Sequence, residues 1–382
     1  MNDKLPPEWE PTSEFLRQDQ IAGYDQVRSR CPVAQSEQLH WSLFRHEDVM
    51  RVLNNPRQFS NVVSNHLAVP NGFDPPEHTA YRRIIDAYFS AQRMTEFEPV
   101  CRSIAAKLIA RLPNETEIAA EFADVFAIEA QCAFLDWPEG LHQPLLRWTR
   151  KNQAATLSGD RDAMAAVAVE FDSYIRDLLA ESRKLAPIRR NDAVTRLLNE
   201  RIDDRALSDE EIVSILRNWT VGEISTISAC VGILAHYVAE RPQLQQQLRD
   251  QTNLLPAAID EILRIHPPLI SSRRKTTESV EIGGCQLGTG ERITIMWASA
   301  NRDEAEFGDP DEFRLDRGPA TNLLYGAGIH VCPGAPLARL ELRVVMEELL
   351  GRTKSIAMIP DKKPVRAIYP ASGFSSLPLR IV

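Results

Sequence analysis

The sequence predicts a mainly α protein with a smaller β region, folded as a single large domain. Three observations carry that reading. From about residue 76 to 248 the apolar positions recur at helical spacing. From 267 to 330 the texture changes to short strand-like runs and turns, such as Val280-Glu281-Ile282-Gly283-Gly284 and Arg292-Ile293-Thr294-Ile295-Met296. No internal repeat, low-complexity tract or linker divides the 382 residues, a length sufficient for a large core.

The elements follow in order. The first seventy residues mix proline, tryptophan and short β-like pieces, among them Leu39-His40-Trp41-Ser42-Leu43-Phe44, and residues 46 to 55 read as a helix. The stretch from 59 to 75 holds the turn formers Asn61, Asn65, Pro70, Asn71 and Gly72 and reads as a loop. The helix-rich body then spans about 76–265, with breaks at 159–162 and 186–192, while β-rich and irregular parts occupy about 30–75 and 267–325. Within the body, Ser208-Asp209-Glu210-Glu211 is a capping box that opens a proline-free run to Pro242. That run is about 32 residues, or about 48 Å of helix. Its apolar second half predicts a path through the middle of the protein. A loop at 325–334, a helix at 334–351 and a short β-like tail from 354 complete the chain.

Composition narrows the function. A net charge of −9 argues against a nucleic-acid partner. Met1-Asn2-Asp3-Lys4-Leu5-Pro6-Pro7-Glu8-Trp9 has no apolar stretch, so neither a signal peptide nor a membrane anchor is expected. The six cysteines, at 31, 101, 132, 230, 285 and 332, show no C-x-x-C spacing. Zinc and dithiol readings fall away, and free thiols fit a cytoplasmic setting.

Cys332 is the exception to this scatter. It sits in Tyr325-Gly326-Ala327-Gly328-Ile329-His330-Val331-Cys332-Pro333-Gly334, just before Ala335-Pro336-Leu337-Ala338-Arg339-Leu340-Glu341-Leu342, which reads as a helix with proline in its first turn. The free N–H groups of a helix start stabilise a thiolate. The glycines let the backbone approach a flat ligand. A thiolate beside a planar macrocycle is an electron-rich axial ligand for iron.

This stretch resembles the haem-binding signature of the cytochrome P450 family: aromatic, Gly, x, Gly, x, His, x, Cys, x, Gly, then x-x-Leu-Ala-Arg-x-Glu. Tyr325 stands where the family usually has Phe. The resemblance implies the cytochrome P450 fold, with a long central helix and a buried haem b held through Cys332. Tyr325, Gly326, Gly334 and His330 would frame that group, with Arg339 as a second flanking cation. His78 and Arg82, four apart, resemble the family's propionate-binding helix. Arg274, or alternatively Arg273, matches the later propionate arginine.

In the long helix, Val221-Gly222-Glu223-Ile224-Ser225-Thr226 matches the family's widened turn, where oxygen is handled. Thr226 falls at the oxygen-side threonine. Ser225 replaces the usual acid, and Glu223, three before Thr226 on one helix face, is the candidate proton donor in its place, with substrate contact or solvation of the groove as the alternative. Glu261, Arg264 and Arg317 resemble the family's structural ion cluster. No flavin or iron–sulfur motif is present, so the resemblance implies electrons from a ferredoxin or flavodoxin, docking near Arg83, Arg339 and Arg343. The activity it implies is insertion of one atom of O2 into a small, mainly apolar molecule. A peroxide-driven peroxygenase and a non-catalytic haem sensor are the alternatives.

Overall fold

The computed structural model describes residues 9–184 and 192–382. Most of the break expected at 186–192 therefore lies outside the described residues. The helices of eight or more residues are α1 (Gln20–Arg30), α2 (His46–Leu53), α3 (Glu77–Asp86), α4 (Ala91–Ile109), α5 (Asp124–Leu135), α6 (His142–Ser158), α7 (Arg161–Lys184), α8 (Asp209–Ala239), α9 (Pro242–Asp250), α10 (Leu255–Ile265) and α11 (Ala335–Arg352). One mixed sheet stands beside them. Its strands are β1 (Val33–Ser36), β2 (His40–Leu43), β3 (Phe59–Ser60), β4 (Ser271–Thr276) and β5 (Arg292–Met296), in the order β1-β2-β5-β4-β3. β5 runs parallel to β2, pairing Thr294 with Ser42, and antiparallel to β4, pairing Thr294 with Arg273.

The element that organises the rest is α8. Its capping box is complete: the Glu211 N–H donates to Ser208 Oγ at 3.2 Å, and the Ser208 N–H donates to the Glu211 carboxylate at 2.6 Å. From Cys230 to Ala239 all but one of its residues are buried apolar or small residues, or Tyr237, because α5, α9, α10 and α11 pack around it. Each large aliphatic side chain sealed there contributes about 1.5–3 kcal/mol. Among the described residues α8 is the only helix long and apolar enough to cross a membrane, and here its apolar surface faces the protein core. A second core, between α2 and the sheet, joins Leu43, Val49, Ile293 and Trp297.

α10 is locked to the irregular chain that precedes the cysteine loop. Arg264 donates to both Glu261 carboxylate oxygens, at 2.8 and 2.9 Å, and Arg317 donates to Glu261 at 2.9 Å. Arg264 also donates to the Asn301 and Pro310 carbonyls. With Glu261 and Arg264 both buried, loss of one partner would strand a charge and cost about 3–5 kcal/mol. This cluster fixes the platform on which the 325–334 loop rests.

Candidate active site

The cysteine loop is shaped by two left-handed glycines, Gly326 at φ 72° and Gly328 at φ 68°. A side chain at Gly328 would bring its Cβ to 2.2 Å from the Leu53 carbonyl, so this glycine lets the loop dock on the end of α2. The sequence had implied that the glycines clear space for a flat ligand. At Gly328 the close neighbour is the protein's own backbone. The turn closes through the Cys332 N–H, which donates to the Tyr325 carbonyl at 2.8 Å. α11 then starts at Ala335 with Pro336 in its first turn. The N–H groups of Gly334 and Ala335 bond the Cys332 sulfur. Burial pushes its thiol up, and these donors and Arg82 offset only part of that rise, to which Glu223 adds.

The sulfur opens into a cavity of about 610 Å³. Phe89, Phe134, Leu135, Trp219 and Ile227 make much of its wall apolar. The volume lies within the usual range for cofactor and substrate pockets.

At another part of the wall His330 and Arg274 line the cavity, with His78 and Arg82 packed behind His330. His78 and His330 have ring centroids 4.2 Å apart, and the Nε2 atom of each is buried with no hydrogen-bond partner among the described residues. Burial, then the charges of His78, Arg274 and Arg82, push His330 down to about 3. Burial holds Arg274 down at about 10. In β4 the side chains alternate, with Arg274 buried and Arg273 exposed. Arg274 is thus the inward arginine, although both border the cavity. Arg82 donates to the Val331 carbonyl at 2.6 Å and pairs with Asp86 at 2.5 Å, so it braces the cysteine loop as well. Buried donors without acceptors are costly unless an anion completes them. Two carboxylates would do so, which is what haem carries at one edge. The donor set therefore fits haem b: a sulfur ligand, an apolar cavity and a cationic patch.

α8 supplies the opposite chemistry. Asn218, Trp219, Gly222, Glu223, Thr226 and Cys230 line the same cavity. A Cβ at Gly222 would meet no atom within 4 Å, so the helix surface there borders open space.

A family model described as "Cytochrome P450" matches residues 141–380. The chain belongs to the cytochrome P450 family. Membership makes it a haem-dependent monooxygenase. Cytochrome P450 109 of Bacillus spizizenii is 30% identical over 372 residues, covering 94% of this chain and 91% of that one. The mycinamicin IV hydroxylase/epoxidase of Micromonospora griseorubida is 30% identical over 340 residues, covering 84% of each. The open form of the cytochrome P450 EryK from S. erythraea superposes with a TM-score of 0.88 at 26% identity, covering 98% of both chains.

Against the P450 pattern several features of this chain differ. α8 is continuous α-helix through Gly222. Ser225 does not line the cavity; it is exposed, and its hydroxyl donates back to the Val221 carbonyl at 2.9 Å. Thr226 makes no such back-bond among the described residues and keeps its place on the cavity wall. Arg343 pairs with Glu98 at 2.7 Å and Glu347 at 3.0 Å, and Arg339 with Asp260 at 3.2 Å. The positive surface expected from these two is thereby largely neutralised, which leaves Arg83 exposed. Tyr325 lies beneath Arg339, 4.3 Å from ring centroid to guanidinium, and its buried hydroxyl has no partner among the described residues.

Two further features were not read from the sequence. Trp219 and Phe89 meet edge to face at 5.3 Å on the cavity wall. Glu341 turns from α11 to face Glu223. Glu341 stood in view as the last residue of the cysteine signature, but only the packing of α8 against α11 reveals its partner.

Proposed function

We propose that this P450 inserts one oxygen atom from O2 into a small, mainly apolar organic molecule, using electrons from a separate ferredoxin or flavodoxin. The observation that carries the reading is that one cavity holds the Cys332 sulfur, an apolar wall and the Thr226–Glu223 face of α8. Haem would be held by Cys332 through its iron and by His78, Arg82, Arg274 and His330 through its carboxylates. When bound, it supplies reductive activation of O2, with the thiolate favouring O–O cleavage.

The residues of the chain have separate tasks. The N–H groups of Gly334 and Ala335 donate to the sulfur and favour its anion. The aromatic wall orients an apolar substrate and excludes bulk water, so that protons reach the reaction only from chosen groups. Thr226, with its hydroxyl free of the i−4 carbonyl, holds a water at the cavity wall. Glu223 is the acid that supplies a proton there. Tyr325 and Gly326 shape the cysteine turn, while Ser225 has no direct task. Arg83 is the exposed cation available to an acidic electron donor. The bacterial relatives and the free cysteines fit a cytoplasmic setting.

The test begins with the reduced carbonyl spectrum of the purified protein. A thiolate-type band that disappears in Cys332→His supports the ligand assignment, and an imidazole-type band in the wild type overturns it. Turnover is then compared between O2 with a reductase and ferredoxin, and hydrogen peroxide alone. Product from peroxide alone, with none from the reduced system, would favour the peroxygenase, to which the absence of an acid beside Thr226 points.

A further inference from the structure

Glu341 is fully buried on α11, and neither of its carboxyl oxygens bonds any donor nitrogen or hydroxyl among the described residues. Glu223 Oε1, on α8, is equally sealed. The two carboxyls lie within hydrogen-bond reach of one another. Two carboxylates cannot bond without a proton between them, and side by side in a low-dielectric site they cannot both ionise. We propose that Glu223 and Glu341 act as one unit, an acid pair that retains at least one proton where α8 meets α11, with Glu341 the positioning residue whose carboxyl orients that of Glu223 by hydrogen bonding to it.

The surroundings support a protonated pair. No Lys, Arg or His bears on either carboxyl among the described residues. The other titratable groups facing it are Cys101 on α4, Cys230 on α8 and Cys332 in the loop. Cys101 and Cys230 are buried, and burial pushes both thiols up, so they add no charge. Burial pushes Glu223 up as well, and Glu341 further, through burial and the charge of Glu223. The pair also joins two functions. Glu223 stands one helical turn before Thr226 on the cavity wall, while Glu341 belongs to the helix whose first turn caps the sulfur. A proton given up at Glu223 leaves a second buried negative charge, so the pair is refilled by a proton from cavity water.

The inference rests on the reading of Glu223 as proton donor, and the experiment separates the two. Infrared spectra of the ferric holoenzyme are recorded in H2O and D2O at neutral pH. The protonated-carboxyl band that vanishes in Glu223→Gln identifies the pair. Glu341→Gln is expected to abolish it, because an amide N–H donated to Glu223 favours the carboxylate. Glu341→Leu is expected to keep a band but move it to higher frequency, because Glu223 stays buried and protonated but loses its hydrogen-bonded partner; an unmoved band would overturn the pair. A band absent from the wild type, or unchanged in Glu341→Gln, overturns the pair. If the Glu341 variants fail to fold, the wild-type titration decides. The band must persist through neutral pH, and its disappearance as the pH rises through about 4–5, like that of an ordinary carboxyl, refutes the proposal.

The second readout is the pH dependence of coupling between reductant and product. Glu341→Gln is expected to move the alkaline fall-off to lower pH by about one unit or more, whereas Glu341→Leu leaves it in place. An infrared pattern as expected with an unmoved fall-off would keep the pair and reject Glu223 as the donor.

Discussion

Arg274 and Arg273 are adjacent in sequence, and the sequence alone left both open as propionate ligands. The alternation of β4 separates them, since one side chain is buried against His330 and the other exposed. A charge-assisted hydrogen bond is worth about 1.5–3 kcal/mol. Arg274→Leu is therefore expected to speed haem loss to a competing apoglobin by about ten- to a hundred-fold, with Arg273→Leu near the wild-type rate. Equal effects would mean that the strand alternation does not govern haem retention. The same contrast shows what was legible at this scale. Cys332 was readable because its signature is local and dense. His78, Arg82 and His330 were readable because helical spacing and the signature placed them. The facing of Glu341 and Glu223 was not, since 117 intervening residues fold between them before the two carboxyls meet. Nor was the outward turn of Ser225, which depends on which arc of α8 meets the cavity.

Elements were more readable than their junctions. The capping box located the start of α8 because two backbone donors, one hydroxyl and one carboxylate obey a four-residue rule. The sheet order β1-β2-β5-β4-β3 was not accessible, because it joins strands more than two hundred residues apart. Tertiary contacts also enlarge what the cap does. Glu211 accepts from Arg205 at 2.7 Å, from the Ser208 N–H and from the Tyr81 hydroxyl on α3. Burial alone would raise its carboxyl, but these donors outweigh it and hold Glu211 at about 2, against about 4.3 in an unfolded chain. The folded value is the depressed one. Its stabilisation is therefore complete above about pH 4.3 and is lost as the pH falls toward 2. Glu211→Gln is expected to lower the urea midpoint at neutral pH and to flatten the decline between pH 4.3 and 2. Parallel curves for the two proteins would show that the N-terminus of α8 is not held by this charge.

For the whole molecule, the decisive question is how the haem chamber admits a substrate. The loop between β3 and α3, read from the sequence as a string of turn formers, is fastened to the first half of α8. Ser214 accepts from the Val69 N–H at 2.9 Å and donates to the Leu67 carbonyl at 2.9 Å, and Asn218 donates to the Val69 carbonyl at 3.0 Å. Arg217 does more, because it also reaches α7. It donates to both oxygens of Asp172, at 2.7 and 2.9 Å, and to the Leu67 carbonyl at 2.9 Å. One half-buried guanidinium thus ties together the two segments that must part if a molecule is to enter between them. Ser214 and Asn218 hold the loop to α8 alone, so their loss frees one side only. Arg217→Ala releases both sides, at about 1.5–3 kcal/mol for the charge-assisted bonds. Amide hydrogen exchange across the loop and the adjoining face of α7 is expected to rise by about ten-fold or more, and the substrate off-rate with it, while the haem spectrum stays unchanged because no haem-holding residue is touched. Exchange that rises in the loop but not in α7 would place the entrance elsewhere. Unchanged exchange in both would mean that Ser214 and Asn218 suffice to hold the loop in place.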